Sequence, residues 1–262
     1  MQHTQPSSRQ TSSRRVAGVI LAAGKGTRMP GDLPKVAHLV ADRPMVAWVV
    51  DAVREVGADP IVLIVGYRQE VIRSLVQGDD DIVFAVQSEQ LGTAHAVESA
   101  RSVLAGFDGD VFVLAGDGPL IRPETLRTLL ERHRSTGAAA TLATSVIPDP
   151  TGYGRIVRDP AGRFEQIVEH KNATPEQRAI REVNPSYYCF DARRLFDALP
   201  RVSRDAVSGE YYLTDVPALL KREGRRVEVI DAVPPEDVLS INTEPQRQEV
   251  ERILQQRLEV PR

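Results

Sequence analysis

Through the first half of the chain, short apolar runs alternate with stretches whose apolar residues recur at helical spacing. Residues 16–21, 61–65, 82–86 and 111–115 are β-branched runs of strand length, the pattern of strands buried on both faces. Between them, residues 45–56, 70–76 and 93–104 place apolar side chains on one helical face. Strand and helix in this rhythm predict a mostly parallel sheet with helices on both sides. After about residue 137 the rhythm changes. Residues 138–146, 155–158 and 164–168 read as strands joined by Pro/Gly turns, and residues 187–190 add another. Helices over 191–199 and 213–222 precede a last strand at 227–230, and a helix over 245–258 aligns Val250, Ile253, Leu254 and Leu258. There is neither a low-complexity linker nor an internal repeat. The expectation is one α/β domain over residues 15–262 with a mixed, partly antiparallel second half. Residues 1–14 lack apolar periodicity and are expected to form a disordered tail.

Composition narrows the class. The 262 residues are enough for a large core, and 42% hydrophobic with 26% charged residues excludes wholesale disorder and coiled coil. A net charge of −3 and a pI of about 6.0 exclude a broad basic face for nucleic acid. Cys189 is the single cysteine, so no intrachain disulfide or CxxC zinc site forms, which fits a reducing compartment. The first apolar run is too short to span a bilayer, and Lys25 and Arg28 follow where a signal peptide would stay apolar. A cytoplasmic protein without a membrane partner is expected. Only four of the 33 basic residues are lysine: Lys25, Lys35, Lys171 and Lys221. GC-rich coding accounts for the arginine excess, so a retained lysine points to chemistry.

The densest signal is Leu21-Ala22-Ala23-Gly24-Lys25-Gly26-Thr27-Arg28-Met29, followed by Leu33-Pro34-Lys35. It begins where the first strand ends, the place at which open α/β sheets bind ligands. Glycines there let backbone N–H groups approach phosphate oxygens, and Lys25, Arg28 and Lys35 can neutralise the charge. A dinucleotide fingerprint fails because Met29 stands where the third glycine or alanine belongs. A Walker A loop fails because Lys25 is followed by Gly26, not Ser or Thr. A plain glycine turn with incidental charges is the bland alternative.

This segment resembles the signature of sugar-1-phosphate nucleotidylyltransferases. Within that family it is similar to the N-terminal uridylyltransferase (pyrophosphorylase) domain of the bifunctional bacterial enzyme that makes UDP-N-acetylglucosamine. Further blocks carry the resemblance from about residue 16 to 242: Gln87-Ser88-Glu89-Gln90-Leu91-Gly92-Thr93-Ala94-His95, Gly116-Asp117-Gly118-Pro119-Leu120, Thr151-Gly152-Tyr153-Gly154-Arg155, Val168-Glu169-His170-Lys171, Glu182-Val183-Asn184 and Gly209-Glu210-Tyr211-Tyr212-Leu213-Thr214-Asp215. The resemblance implies a Rossmann-like nucleotide-diphospho-sugar transferase fold. It implies UMP transfer from UTP to a sugar-1-phosphate, most readily N-acetylglucosamine-1-phosphate, with pyrophosphate released. Lys25 and Arg28 would hold the departing phosphates, and Lys35 would sit nearer the α-phosphate or the sugar phosphate. Mg²⁺ would be bound by Asp117 and Asn242. Leu21, Ala23, Gly24, Gly26, Thr27, Gln87, Gly92 and Thr93 would line the nucleotide, with Gln87 and Gly92 at the uracil. Gly154, Glu169 and Asn184 would take the sugar, with Glu210, Tyr212 and Thr214 toward its N-acetyl side. His95 reads as a helix-packing residue.

Two departures stand against the family pattern. Asn184 is followed by Pro185-Ser186 where the family has Thr-Gly, and a proline cannot offer a backbone N–H. Gly118 stands where valine is commoner. The family's bifunctional members continue into a β-helix that acetylates and trimerises. No hexapeptide repeat occurs here, so neither acetyl transfer nor that trimer is expected, and a monomer or small homo-oligomer is. Two other readings stay open: a nucleotidylyltransferase for another NTP and sugar phosphate, and a non-catalytic nucleotide-sugar sensor.

Overall fold

The computed structural model describes residues 14–259. In chain order the strands are β1 (Arg15–Leu21), β2 (Leu39–Val40), β3 (Arg43–Pro44), β4 (Ile61–Val65), β5 (Ile82–Val86), β6 (Gly109–Ala115), β7 (Ala140–Val146), β8 (Gly154–Arg158), β9 (Phe164–Val168), β10 (Glu182–Asp191) and β11 (Val227–Asp231). The helices are α1 (Met45–Glu55), α2 (Gln69–Leu75), α3 (Thr93–Glu98), α4 (Pro123–Thr136), α5 (Pro175–Arg178), α6 (Ala192–Ala198), α7 (Val216–Arg222) and α8 (Glu244–Glu259). Nine strands form one sheet whose main path is β11-β7-β10-β6-β1-β4-β5, with the β8–β9 hairpin branching from β10. β2 and β3 form a separate small hairpin.

Alternate residues of the central strands feed two cores. Val19, Val62, Val113 and Tyr188 face one side, beneath Val97 of α3, Leu195 of α6 and Val216 of α7. Ile20, Leu63, Leu114 and Tyr187 face the other, against Val49 of α1, Ile72 of α2 and Leu126 of α4. This double cover is why β4 and β6 could be continuous apolar runs. A third cluster gathers Met29, Leu120 and Ile241 beneath Val250 and Leu254 of α8.

The architecture is the expected mixed, mostly parallel α/β sheet flanked by helices; the β2–β3 hairpin and α5 were not expected, and three larger differences accompany them. α4 was not among the expected elements, although Pro123 opens it, Gly137 closes it at φ +61° and Leu126, Leu129 and Leu130 line its buried face. α3 ends at Glu98, six residues before its expected end. The Ser99 hydroxyl donates to the His95 carbonyl at 3.1 Å, competing with the helix ladder, and turns follow. β10 starts at Glu182 rather than 187. Its register slips between Val183, opposite Ser145, and Tyr187, opposite Ala143, which hid its first half from periodicity. Of the expected tail, residues 1–13 lie outside the described residues. Arg14 is instead held in place, donating to the Gly109 carbonyl at 3.0 Å and pairing with the buried Asp110 carboxylate at 3.1 Å.

β1 runs parallel to β4 and β6, so the turns that follow all three emerge at one sheet edge. β10 is antiparallel to β6 and begins at that same edge, which brings Asn184 to the strand ends. The site assembles along this line.

Candidate active site

The glycine loop leaves β1 at Leu21, whose carbonyl accepts from Gly116 N–H at 3.0 Å and so ties it to the loop after β6. The Ala23 carbonyl takes Tyr67 N–H at 3.2 Å, and the Gly24 carbonyl faces Lys35 N–H at 3.4 Å. Residues 24–27 donate no backbone hydrogen bond among the described residues, so Gly24, Lys25, Gly26 and Thr27 present successive free N–H groups, as an anion-binding nest requires. Gly26 has φ +71°, and a Cβ there would lie 2.5 Å from Lys35 Cβ. The loop therefore folds directly onto the residue carrying the second lysine.

The three cations predicted for the phosphates divide into two groups. Lys35 Nζ donates to Asp117 and, at 2.6 Å, to Asn242 Oδ1. Arg28 reaches the same Asn242 oxygen at 2.9 Å. Lys25 lies apart, its ammonium 5.1 Å above the Tyr67 ring. Tyr67 donates to Asp32, which Arg68 pairs with at 3.0 Å. The Tyr67 hydroxyl, with help from Arg68 and Lys25, holds Asp32 below the usual carboxylate range against the opposing effect of desolvation.

Asp117 and Asn242, 125 residues apart, thus meet around one ammonium. Two oxygen donors sharing a cation suit Mg²⁺, which takes few protein oxygens and completes its shell with water or phosphate. Among the described residues no group of three or more His, Cys, Asp or Glu side chains is placed to hold a metal ion. The Asp117 and Asn242 oxygens fit Mg²⁺ as a two-donor site.

Around the predicted base-binding loop, Gln87 is 4% exposed at the end of β5. Its amide nitrogen donates to the Gly92 carbonyl at 3.1 Å and lies 3.2 Å from His95 Nδ1. His95, read from sequence as packing, is thus also a positioning partner of Gln87. Gly92 has φ +107°, and a Cβ there would meet the Tyr211 backbone at 2.5 Å. Thr93 accepts Leu213 N–H at 2.9 Å, so its hydroxyl fastens the 91–94 turn to the 210–214 segment.

Around the residues predicted for the sugar the polar groups bond one another. Asn184 donates to the Tyr188 hydroxyl at 2.6 Å and accepts Ser186 N–H at 3.2 Å. Ser186 sits at φ +67°, left-handed backbone at the position where the family pattern has glycine. Half-buried Glu169 accepts from Thr214 at 2.9 Å. Burial pushes its carboxyl above the usual range, and the Thr214 bond and nearby Lys171 only partly offset this. Tyr212 donates to Ser208 at 2.7 Å, with Lys171 4.9 Å over its ring, while Glu210 packs beside Gly92.

A cleft of about 420 Å³ joins these ends, lined by Arg28, Asp117, Gly154, Glu169, Asn184 and Asn242, with Pro185 and Ser186 also on its wall. The predicted metal and sugar residues meet there. Lys25, Lys35, Leu21, Ala23, Gly24, Gly26, Thr27, Gln87, Gly92 and Thr93 lie outside it, as do Glu210, Tyr212 and Thr214, of which Thr214 bonds Glu169 on its wall. A larger groove of about 980 Å³ between α1, α4 and α8 contains none of the predicted residues. Among the described residues no helix is long and apolar enough to cross a membrane.

Sequence reasoning missed several supporting residues. Tyr187 and Tyr153 donate to the Asp237 and Val238 carbonyls at 3.3 and 3.2 Å, fixing the approach to Asn242. The Tyr153-Gly154 dipeptide was a visible signal for one of them, whereas Asp237 had none.

Comparison with known proteins places this geometry. A model of the MobA-like NTP transferase domain matches residues 18–214. The bifunctional protein GlmU of Geobacter metallireducens is 49% identical over 243 residues, which are 93% of this chain and 51% of the relative. The GlmU proteins of Brevibacillus brevis and Bacillus cereus are 45% and 46% identical over 244 and 240 residues, 93% and 92% of this chain and 52% of theirs. The chain spans about half the length of the curated relatives it matches.

Proposed function

The chain belongs to the MobA-like NTP transferase domain family, and from that membership we propose that it transfers UMP from UTP to N-acetylglucosamine-1-phosphate, giving UDP-N-acetylglucosamine and pyrophosphate. The observation that carries this reading is the meeting of Arg28 and Lys35 with the Asp117 and Asn242 oxygens beside a loop of free N–H groups. A sugar-phosphate oxygen attacks the α-phosphorus of UTP, the bond from that phosphorus to the bridging oxygen breaks, and the electron pair leaves with pyrophosphate. Such a transfer needs in-line positioning and charge neutralisation, not a covalent nucleophile. Residues 24–27, Lys25 and Arg28 hold the departing phosphates. Lys35 exchanges its side-chain partners for the α- or sugar-phosphate oxygens. Asp117 and Asn242 would hold Mg²⁺, which would supply positive charge at the phosphoryl oxygens. Gln87 and Gly92, with backbone groups at Ala23 and Gly24, read the uracil. Glu169 and Asn184 receive the sugar hydroxyls, with Gly154 on the same cleft wall, where it lets Ile167 pack close.

A different sugar is favoured by one observation, the Pro185-Ser186 bulge, where the cleft wall departs from the family pattern. A matrix of nucleoside triphosphates against sugar-1-phosphates, read by pyrophosphate release with Mg²⁺ present, separates the readings. UTP with N-acetylglucosamine-1-phosphate is expected to give the highest kcat/KM. No release from any pair would overturn catalysis and leave a binding protein.

A further inference from the structure

Asn242 and Asp117 lie on separate segments, and an ion cluster centred on a buried carboxylate behind them joins both. Asp237, 1% exposed, receives the Arg122 guanidinium through two nitrogens, one of them at 3.1 Å, and Arg257 pairs with it from α8. Arg257 also donates to the Leu120 carbonyl at 3.0 Å. Leu120 and Arg122 belong to the turn that carries Asp117, whereas Asp237 belongs to the segment that carries Asn242. α8 closes the circuit. Its first turn holds Asn242, whose N–H donates to Gln246 at 2.8 Å, and its last turn supplies Arg257. The two segments also touch directly, Ile241 N–H donating to the Asp117 carbonyl at 3.0 Å, over the apolar contact of Leu120 and Ile241.

We infer that Arg122, Asp237 and Arg257 are positioning residues that set the spacing of the Asp117 and Asn242 oxygens, and through it the divalent-cation requirement of the enzyme. The inference rests on the proposed reading of those two oxygens. None of the three side chains has to touch substrate. A single-charge anchor would orient one segment, whereas a carboxylate between two guanidinium groups, one of which also grips the facing loop, fixes both together.

Asp237→Ala would strand two guanidinium groups and is a poor first test. Arg257→Met keeps the length of the stem and leaves Asp237 paired with Arg122. For this variant the Mg²⁺ concentration giving half-maximal pyrophosphate release is expected to rise about tenfold, the loss typical when a partner behind a metal ligand is removed. At saturating Mg²⁺, kcat is expected to stay within about twofold. Amide hydrogen exchange at Ile241 should accelerate about tenfold while β1 and β4 amides keep their rates. Arg257→Lys retains the charge and should fall between. Arg252→Met, which breaks only exposed contacts with Glu249 and Gln256 on the same helix, is the control. A lowered Tm with unchanged Mg²⁺ dependence, or unchanged Ile241 exchange, would overturn the inference. Wild-type turnover without Mg²⁺ would overturn the metal reading of Asp117 and Asn242, and Ile241 exchange would still decide whether the ion cluster holds the two segments together.

Discussion

At the proposed phosphate end of the cleft the polar side chains that hold one another are mostly charged and lie beside a turn of main-chain N–H groups; at the proposed sugar end the interlocked groups are mostly neutral. Lys35 and Arg28 converge on Asp117 and Asn242, and the 24–27 N–H groups have no partner among the described residues. Asn184, by contrast, is already bonded to Tyr188 and Ser186, and Glu169 to Thr214. The first arrangement suits a ligand that brings four negative charges and leaves with them, because its cations can change partners at little cost. The second suits a neutral ring, for which binding must compete with bonds that are already made. Discrimination then comes from shape and satisfied hydrogen bonds, not from charge.

The sharpest test of that contrast is Asp117→Ala. Turnover is expected to fall at least about 100-fold, the scale of losing a preorganised electrostatic group. The Tm should barely move, because Ile241 bonds to the backbone of Asp117 and not to its side chain. A drop of many degrees would mean that the phosphate end is as interlocked as the sugar end.

Glu169→Gln probes the other side. The KM for the sugar phosphate is expected to rise about tenfold, with the KM for UTP unchanged, in line with one hydrogen bond to a charged group. Stability should respond oppositely. Burial raises the folded carboxyl above its unfolded value, so the wild type loses stability as pH rises through the folded value. Glu169→Gln should therefore melt above the wild type at pH 8, and calorimetry should show the gap closing toward pH 4. A gap that widens at low pH would contradict the assigned direction.

The smallest effect is expected from Ser186→Gly. Relief of left-handed backbone, less the extra chain entropy of glycine, leaves a net gain of roughly 0.5 kcal/mol. Denaturant titration would register it as a higher midpoint with an unchanged slope. A loss instead would mean that the serine side chain, and not only its backbone, holds the bulge.

The two ends also differed in how far the sequence revealed them. β4, β5 and β9 fall where local pattern placed them, because apolar runs between turn residues depend on few distant partners. The loop 22–35 was equally legible, since its glycines and lysines are contiguous. The first half of β10 was hidden by its register slip, and α4 by a break in the rhythm that its own capping residues mark more clearly than its apolar spacing does. The resemblance put Thr93 and Thr214 against ligand, and their hydroxyls also bond Leu213 N–H and Glu169. Such second partners lie more than 40 residues away and leave no periodic trace. The meeting of Arg122 with Asp237 is of the same kind, fixed only once the sheet has formed.

The direction of β10 bears on how the chain is made. β6 ends at Ala115 and its neighbour on that side is residues 182–191, not the β7 strand that comes next in sequence. While a ribosome is still translating the middle of the message, β1, β4, β5 and β6 can pair, yet β6 keeps an unpaired edge for the want of some seventy residues. Threading β10 between β6 and β7 seals that edge and delivers Asn184 in one event. A nascent chain consequently lacks the wall of the cleft that Asn184, Pro185 and Ser186 form until that strand has been made.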